Sequence, residues 1–198
     1  MQRNINLQPR ILLHRVANYG EQVNYANAQT AFLVDLDSRV AIDLGTLGGW
    51  SSSARGINDA GQVVGMSDTA DGNRHAFITG PDGVGMRDLG SLGGSRSWSN
   101  AFGINEAGQV VGYSHTADGN SHAFITGPDG EGMADLNSLV DLPPGVILVQ
   151  AWDINNSGQV IANAITIPEP EAYALMLAGL GLVGFVARRK KMENLKRY

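Results

Sequence analysis

The chain breaks into short stretches in which apolar and polar residues alternate, separated by clusters of Gly, Asp and Asn. Over residues 54–89 the alternating pieces are ARGIN, QVVGMSD, HAFIT and MRDL, and the separators are NDAG, ADGN and GPDG. Period-two alternation predicts half-buried β-strands, because successive side chains point to opposite faces. The separators predict tight turns: Asp and Asn bond their own backbone, and Gly takes positive φ. No stretch before residue 170 carries a 3.6-residue period, so the body is expected to be all-β.

The pattern repeats. GINDAGQVVG (56–65) returns as GINEAGQVVG (103–112) and, more divergent, as DINNSGQVIA (153–162), at offsets of 47 and 50 residues. DTADGNRHAFITGPDGVGMRDLGSLGG (68–94) aligns with HTADGNSHAFITGPDGEGMADLNSL (115–139), and TAFLVDLDSRVAIDLGTLGG (30–49) is a worn second half of the same unit. Four short strands in such a unit match the size of a propeller blade. The expected fold is a propeller-like array of about three to four four-stranded units within residues 1–164, near 16–45, 46–90 and 91–137, with a partial unit over 138–164. The first strand type occurs around 11–17, 54–58, 101–105 and 151–155; the third occurs at 31–34, 75–79 and 122–126. That is fewer units than the roughly four to eight of a closed ring. The array is therefore expected to stay open, to close by self-association of chains, or to have lost upstream repeats. Strands within 146–164 are candidates to cover the edge of the first complete unit. The pattern GIN-x-x-GQVVG followed by HAFIT resembles the bacterial extracellular HAF-repeat family over about residues 16–164. The resemblance implies a β-propeller-like array in a secreted or surface protein and brings no catalytic residues.

Composition agrees with many turns. Gly makes up 26 of 198 residues, about 13%, against roughly 7% in an average protein. Cysteine is absent, which excludes disulfides, a thiolate nucleophile and Cys-based zinc sites. The net charge of −5 is divided unevenly: residues 188–198 hold six basic residues and one acid, leaving eight basic and eighteen acidic residues in 1–187. An acidic body argues against nucleic acid as a partner, since that needs clustered Lys and Arg.

The register changes at residue 165. Pro168 and Pro170 hold an extended segment, 165–170, in which no helix starts. Ala172 to Ala187 carry no charge; with Glu171 they make about 25 Å of helix, at the short end for a membrane span. Arg188, Arg189, Lys190 and Lys191 follow as a stop-transfer cluster, favouring a cytoplasmic C-terminal side and an outward-facing body. The expected layout is a spanning sorting helix over 171–191 and a short cytoplasmic tail over 192–198. Pro168-Glu169-Pro170, the apolar span and the basic run in this order closely resemble the PEP-CTERM sorting signal of Gram-negative bacteria. The resemblance implies recognition and cleavage near the motif by an exosortase, then release of the body to the cell surface or an exopolysaccharide-containing matrix. Members of that family begin with a secretion signal. Residues 1–20 hold no apolar stretch beyond Ile11-Leu12-Leu13, short of the 7–15 residues such a signal needs; a missing N-terminus or misplaced start is therefore expected.

Candidate chemistry is sparse. His75 and His122 sit at equivalent positions and are expected to cap or pack at a strand start; His14 and His115 have no partner visible in the sequence. DTADGN (68–73) and HTADGN (115–120) fail the spacing of calcium loops and read as hairpin turns. GTLGGW (45–50) and GSLGGS (90–95) lack the Lys-Ser/Thr of a phosphate loop. No nucleophile or acid–base constellation appears, so no enzyme activity, cofactor or metal is expected. Trp50, Trp98 and Trp152 fall near the start of successive units; burial between units is the expected role, and stacking on sugar rings the alternative. Two readings result: a non-enzymatic exported envelope or matrix protein, or a carbohydrate-binding module.

Overall fold

The structure, a computed structural model, describes residues 29–94, 97–167, 175–185 and 188. Four antiparallel sheets follow one another along the chain. The first pairs β1 (Phe32–Asp35) with β2 (Val40–Asp43). The second is a meander of β3 (Gly48–Ile57), β4 (Val63–Thr69), β5 (Arg74–Ile78) and β6 (Arg87–Asp88). The third repeats it with β7 (Ser99–Ile104), β8 (Val110–His115), β9 (Ser121–Thr126) and β10 (Met133–Asp135). The fourth pairs β11 (Val146–Ile154) with β12 (Val160–Thr166).

The cores lie between the sheets. Val63 and Phe77 pack toward Ala31 and Leu44, beside the first sheet. Val64, Ala76 and Ile78 meet Ala101, Ile104, Val110 and Phe124 of the third. Val111 and Ala123 meet Ala151 and Ile154 of the fourth. Neighbouring valines thus serve opposite cores, which is why GQVVG reads as an apolar run rather than strict alternation: a sheet buried on both faces needs apolar residues at every position.

The repeated motif has a physical role at each junction. The Asn58 side chain accepts from the Gln62 backbone N–H, closing its own turn, and donates to the Asn105 carbonyl of the next sheet at 3.1 Å. Asn105 does the same with Gln109 and the Asn155 carbonyl. The glycine two residues earlier lets the backbones approach. A Cβ on Gly56 would lie 2.7 Å from the Phe102 carbonyl oxygen, and one on Gly103 would lie 2.7 Å from the Asp153 Cα. The third copy has Asp153 at this position, and no described sheet packs beyond it.

Three expectations need correction. Only the second and third sheets have four strands; the first and fourth have two each, and among the described residues the row closes into no ring. Strand β12 pairs with β11, and β11 packs on the third sheet, so residues 146–164 do not cover the first complete unit. The register explains this: β11–β12 carry the same bulge at Ala151/Asp153 that β7–β8 carry at Ala101/Gly103, so they stack as the next unit in line. In the tail, helix is present at 175–185, inside the expected span. No helix of the described residues is long and apolar enough to cross a membrane. Residues 1–28, with the worn strand at 11–17 and the region of the secretion signal, lie outside the described residues.

Candidate functional site

Strand β8 presents Tyr113 and His115 on one face, two residues apart. Tyr113 lies 6.0 Å from Phe102 of β7, ring centre to ring centre, and 6.1 Å from His115. His115 stacks on Trp98 at 6.1 Å, and Phe102 meets Trp152 of β11 at 4.9 Å. The Arg74 guanidinium stands 5.8 Å from the Trp98 ring and Arg55 stands 5.8 Å from Phe102. The result is a row of rings over the third and fourth sheets, with Arg74 of the second sheet at its Trp98 end and Arg55 of the second sheet at Phe102, one ring in from Trp152. Beside it, Gln29, Ser51, Ser53, Arg55, Asp68 and Arg74 line a polar hollow of about 270 Å³.

This arrangement revises the reading of the tryptophans. Trp50 is 70%, Trp98 49% and Trp152 44% exposed, so none is buried between units, although Trp152 meets Phe102 across two sheets. Trp98 and Trp152 join the row; Trp50 makes none of its ring contacts. Nor are the three equivalent by position. The repeat offsets of 47 and 50 residues place Arg55, Phe102 and Trp152 in one column, each directly before the Gly or Asp of the first strand. Sequence reasoning missed Arg55, Arg74, Phe102, Tyr113 and His115, although applying the offset to Trp152 would have found the first of these and Phe102.

The repeat histidines do more than cap strands. His75 Nδ1 lies 2.8 Å from the Asp88 carboxylate, and His122 Nδ1 lies 2.6 Å from Asp135. In both units the partner stands thirteen residues on, because β5–β6 and β9–β10 place Asp88 and Asp135 on the strand beside the histidine. The Asp135 carboxylate also accepts from the Asn137 backbone N–H, and Asp88 likewise accepts from Gly90. His14 lies outside the described residues. The DTADGN and HTADGN loops are hairpin turns: the Thr69 N–H donates to the Asn73 carbonyl and the Thr116 N–H to the Asn120 carbonyl, both at 2.9 Å. Among the described residues no three His, Asp or Glu converge as metal ligands.

Two of these carboxylates link stability to pH. Partial burial pushes the Asp135 carboxyl up, but hydrogen bonds from His122 and Asn137 outweigh it, and the group sits below the ordinary value of 3.8. Asp68 is likewise raised by burial and lowered further by Ser51 and Arg74. A carboxyl depressed in the folded state stabilises above its unfolded pKa and loses that contribution as pH falls through its folded value. Thermal midpoints are therefore expected to hold steady down to about pH 4 and to fall below it. A midpoint that rises on acidification from pH 4 to about pH 3 would contradict this assignment.

The sorting residues Pro168, Glu169, Pro170, Arg189, Lys190 and Lys191 lie outside the described residues, while Arg188 is helical. Comparison with known families identifies this region. Residues 166–191 match the PEP-CTERM protein-sorting motif, which implies export, membrane-linked sorting and processing by an exosortase. The match covers the tail alone. No curated protein and no solved structure matches the chain.

Proposed function

We propose that the chain is a non-enzymatic protein of the cell envelope or extracellular matrix, carried out of the cell and released by cleavage at its tail. The sorting motif at 166–191 carries this reading. Sorting takes place at the inner membrane, with the basic run Arg188 to Lys191 kept on the cytoplasmic side. The body, a propeller-like array of HAF-type repeats, faces the periplasm and afterwards the surface or an exopolysaccharide matrix. Its support is the division of charge between an acidic body and a basic tail. The test is the intact mass of the protein from each fraction of its native host. A secreted species ending near Pro170 is expected, and replacing Pro168-Glu169-Pro170 by three alanines should leave the full 21.0 kDa chain in the inner membrane. An uncleaved wild-type chain in the cytoplasm would refute the proposal.

The ring row favours a second reading, carbohydrate binding. Exposed aromatic faces take up the apolar faces of sugar rings, and guanidinium groups pair with carboxylates in a planar fork. Arg55 therefore favours acidic over neutral polysaccharide, whereas Arg74 in the adjoining hollow is already paired with Asp68 at 2.9 Å. Titration of the full chain with uronate-containing and neutral polysaccharides tests this. Trp152→Ala should weaken binding of the acidic polymer about tenfold, or roughly 1.4 kcal/mol; absence of binding to every sugar at high concentration would dispose of the reading.

A further inference from the structure

The first and fourth sheets are the two halves of one unit. Strand β1 aligns Phe32 with Asp43 of β2, as β5 aligns Phe77 with Asp88 and β9 aligns Phe124 with Asp135. Leu44 N–H donates to the Ala31 carbonyl as Leu89 does to that of Ala76. The first sheet is therefore strands three and four of a unit. The fourth sheet is strands one and two, by the shared bulge and by the Asn155–Gln159 turn. Within a complete unit the second strand pairs with the third. Among the described strands β12 pairs only with β11, and β1 only with β2.

The matching surfaces are open in the way this predicts. Phe77 and Phe124 are fully buried, whereas Phe32 at the same strand position is 52% exposed. Phe124 packs among Val64, Ile78, Ile104 and Val110 of two neighbouring sheets. The equivalent place against the fourth sheet is an apolar cleft of about 450 Å³ lined by Ile125, Leu136, Leu148, Val160 and Ala162. Among the described residues there is thus both a ring without a socket and a socket without a ring.

We infer that β12 of one copy pairs with β1 of a second copy, completing a four-stranded unit in the order β11, β12, β1, β2. The internal joints set the register. Gly112 faces Phe124 and Ser114 faces His122, so Ala162 faces Phe32 and Ala164 faces Thr30 of the other copy. The described strands of one chain, joined to themselves, would form a ring of three units, below the roughly four that a propeller needs. Two copies, each joining the other head to tail, close a ring of six, well inside the range of about four to eight. Pairing also covers two strand edges and the apolar side chains Phe32 and Ile161, which otherwise invite uncontrolled strand addition. Ala162 stands where the internal joints have Gly65 and Gly112, so this joint carries an extra methyl and is the weaker one.

The chain has no cysteine, so engineered disulfides report the contact cleanly. Full-length Thr30→Cys and Ala164→Cys chains, each purified in mild detergent, are mixed and gently oxidised. The expected product is the mixed disulfide of twice the chain mass, in clear excess over either like-with-like dimer. Adding Phe32→Asp to the Thr30→Cys chain should lower its yield about tenfold with an unchanged circular dichroism spectrum. Light scattering of the unmodified chain should give a dimer. A monomer at every concentration would overturn the inference, as would equal yields of mixed and like pairs. So would a chain carrying both substitutions that closes on itself at monomer mass. Since each cysteine reports on the body alone, failure here is separate from failure of tail processing.

Discussion

Phe124→Ala lowers the unfolding free energy by about 4 kcal/mol, the cost of removing a buried aromatic ring from a core that cannot fully collapse. The ring is completely buried and sits between two sheets, so the cavity opens at a junction. In an array whose units touch only their neighbours, a weakened junction uncouples what lies on either side. Urea unfolding followed by circular dichroism should show an earlier transition that is also broader than that of the parent. A midpoint shift worth less than about 1 kcal/mol would mean that the inter-sheet cores are not the main source of stability.

Gly112→Ala is the second large effect, and it comes from a single methyl. A Cβ at Gly112 would drive into the Asn100 carbonyl oxygen and stand 2.8 Å from the Phe124 ring edge. Both obstacles belong to the packed interior, one of them backbone, so neither can yield cheaply. Overpacking of this kind costs about 3 kcal/mol. The fourth sheet supplies the contrast: Ala162 occupies the same register position opposite Ala151, where no ring of the same chain presses on it. Thermal melts of Gly112→Ala beside the parent chain settle the matter, and an unchanged midpoint would show that the ring has room to move.

Much of this fold was readable from the chain because its instructions are local. Period-two alternation and Asp-Gly or Pro-Asp-Gly turns placed the strands of both complete units where β3 to β10 lie. The offset of 47 residues fixed which strands correspond. What stayed hidden depends on contacts between units. Asn58 reads as a turn residue, and its bond to the Asn105 carbonyl appears only once the sheets are stacked. His75 and Asp88 are thirteen residues apart and meet only through the pairing of β5 with β6. The tryptophans were misjudged because large aromatic residues are usually buried, while here the column running Arg55, Phe102, Trp152 turns toward solvent. The tail was legible as a motif because its order of Pro, apolar and basic segments carries the signal without any tertiary contact.

The ladder of asparagines bears on how such a chain changes length. Each Asn closes a turn within its own unit and reaches the backbone carbonyl of the next Asn, not a particular side chain. A unit therefore meets its neighbour through a surface that every unit offers alike. Tandem duplication of 47 residues would insert one more layer with every bond already in place, whereas an insertion of a few residues within a strand would put the bulge, the turn and the glycine out of step. Growth by whole units is thus the change this architecture tolerates, and near-identical neighbouring copies are the trace that recent duplication leaves.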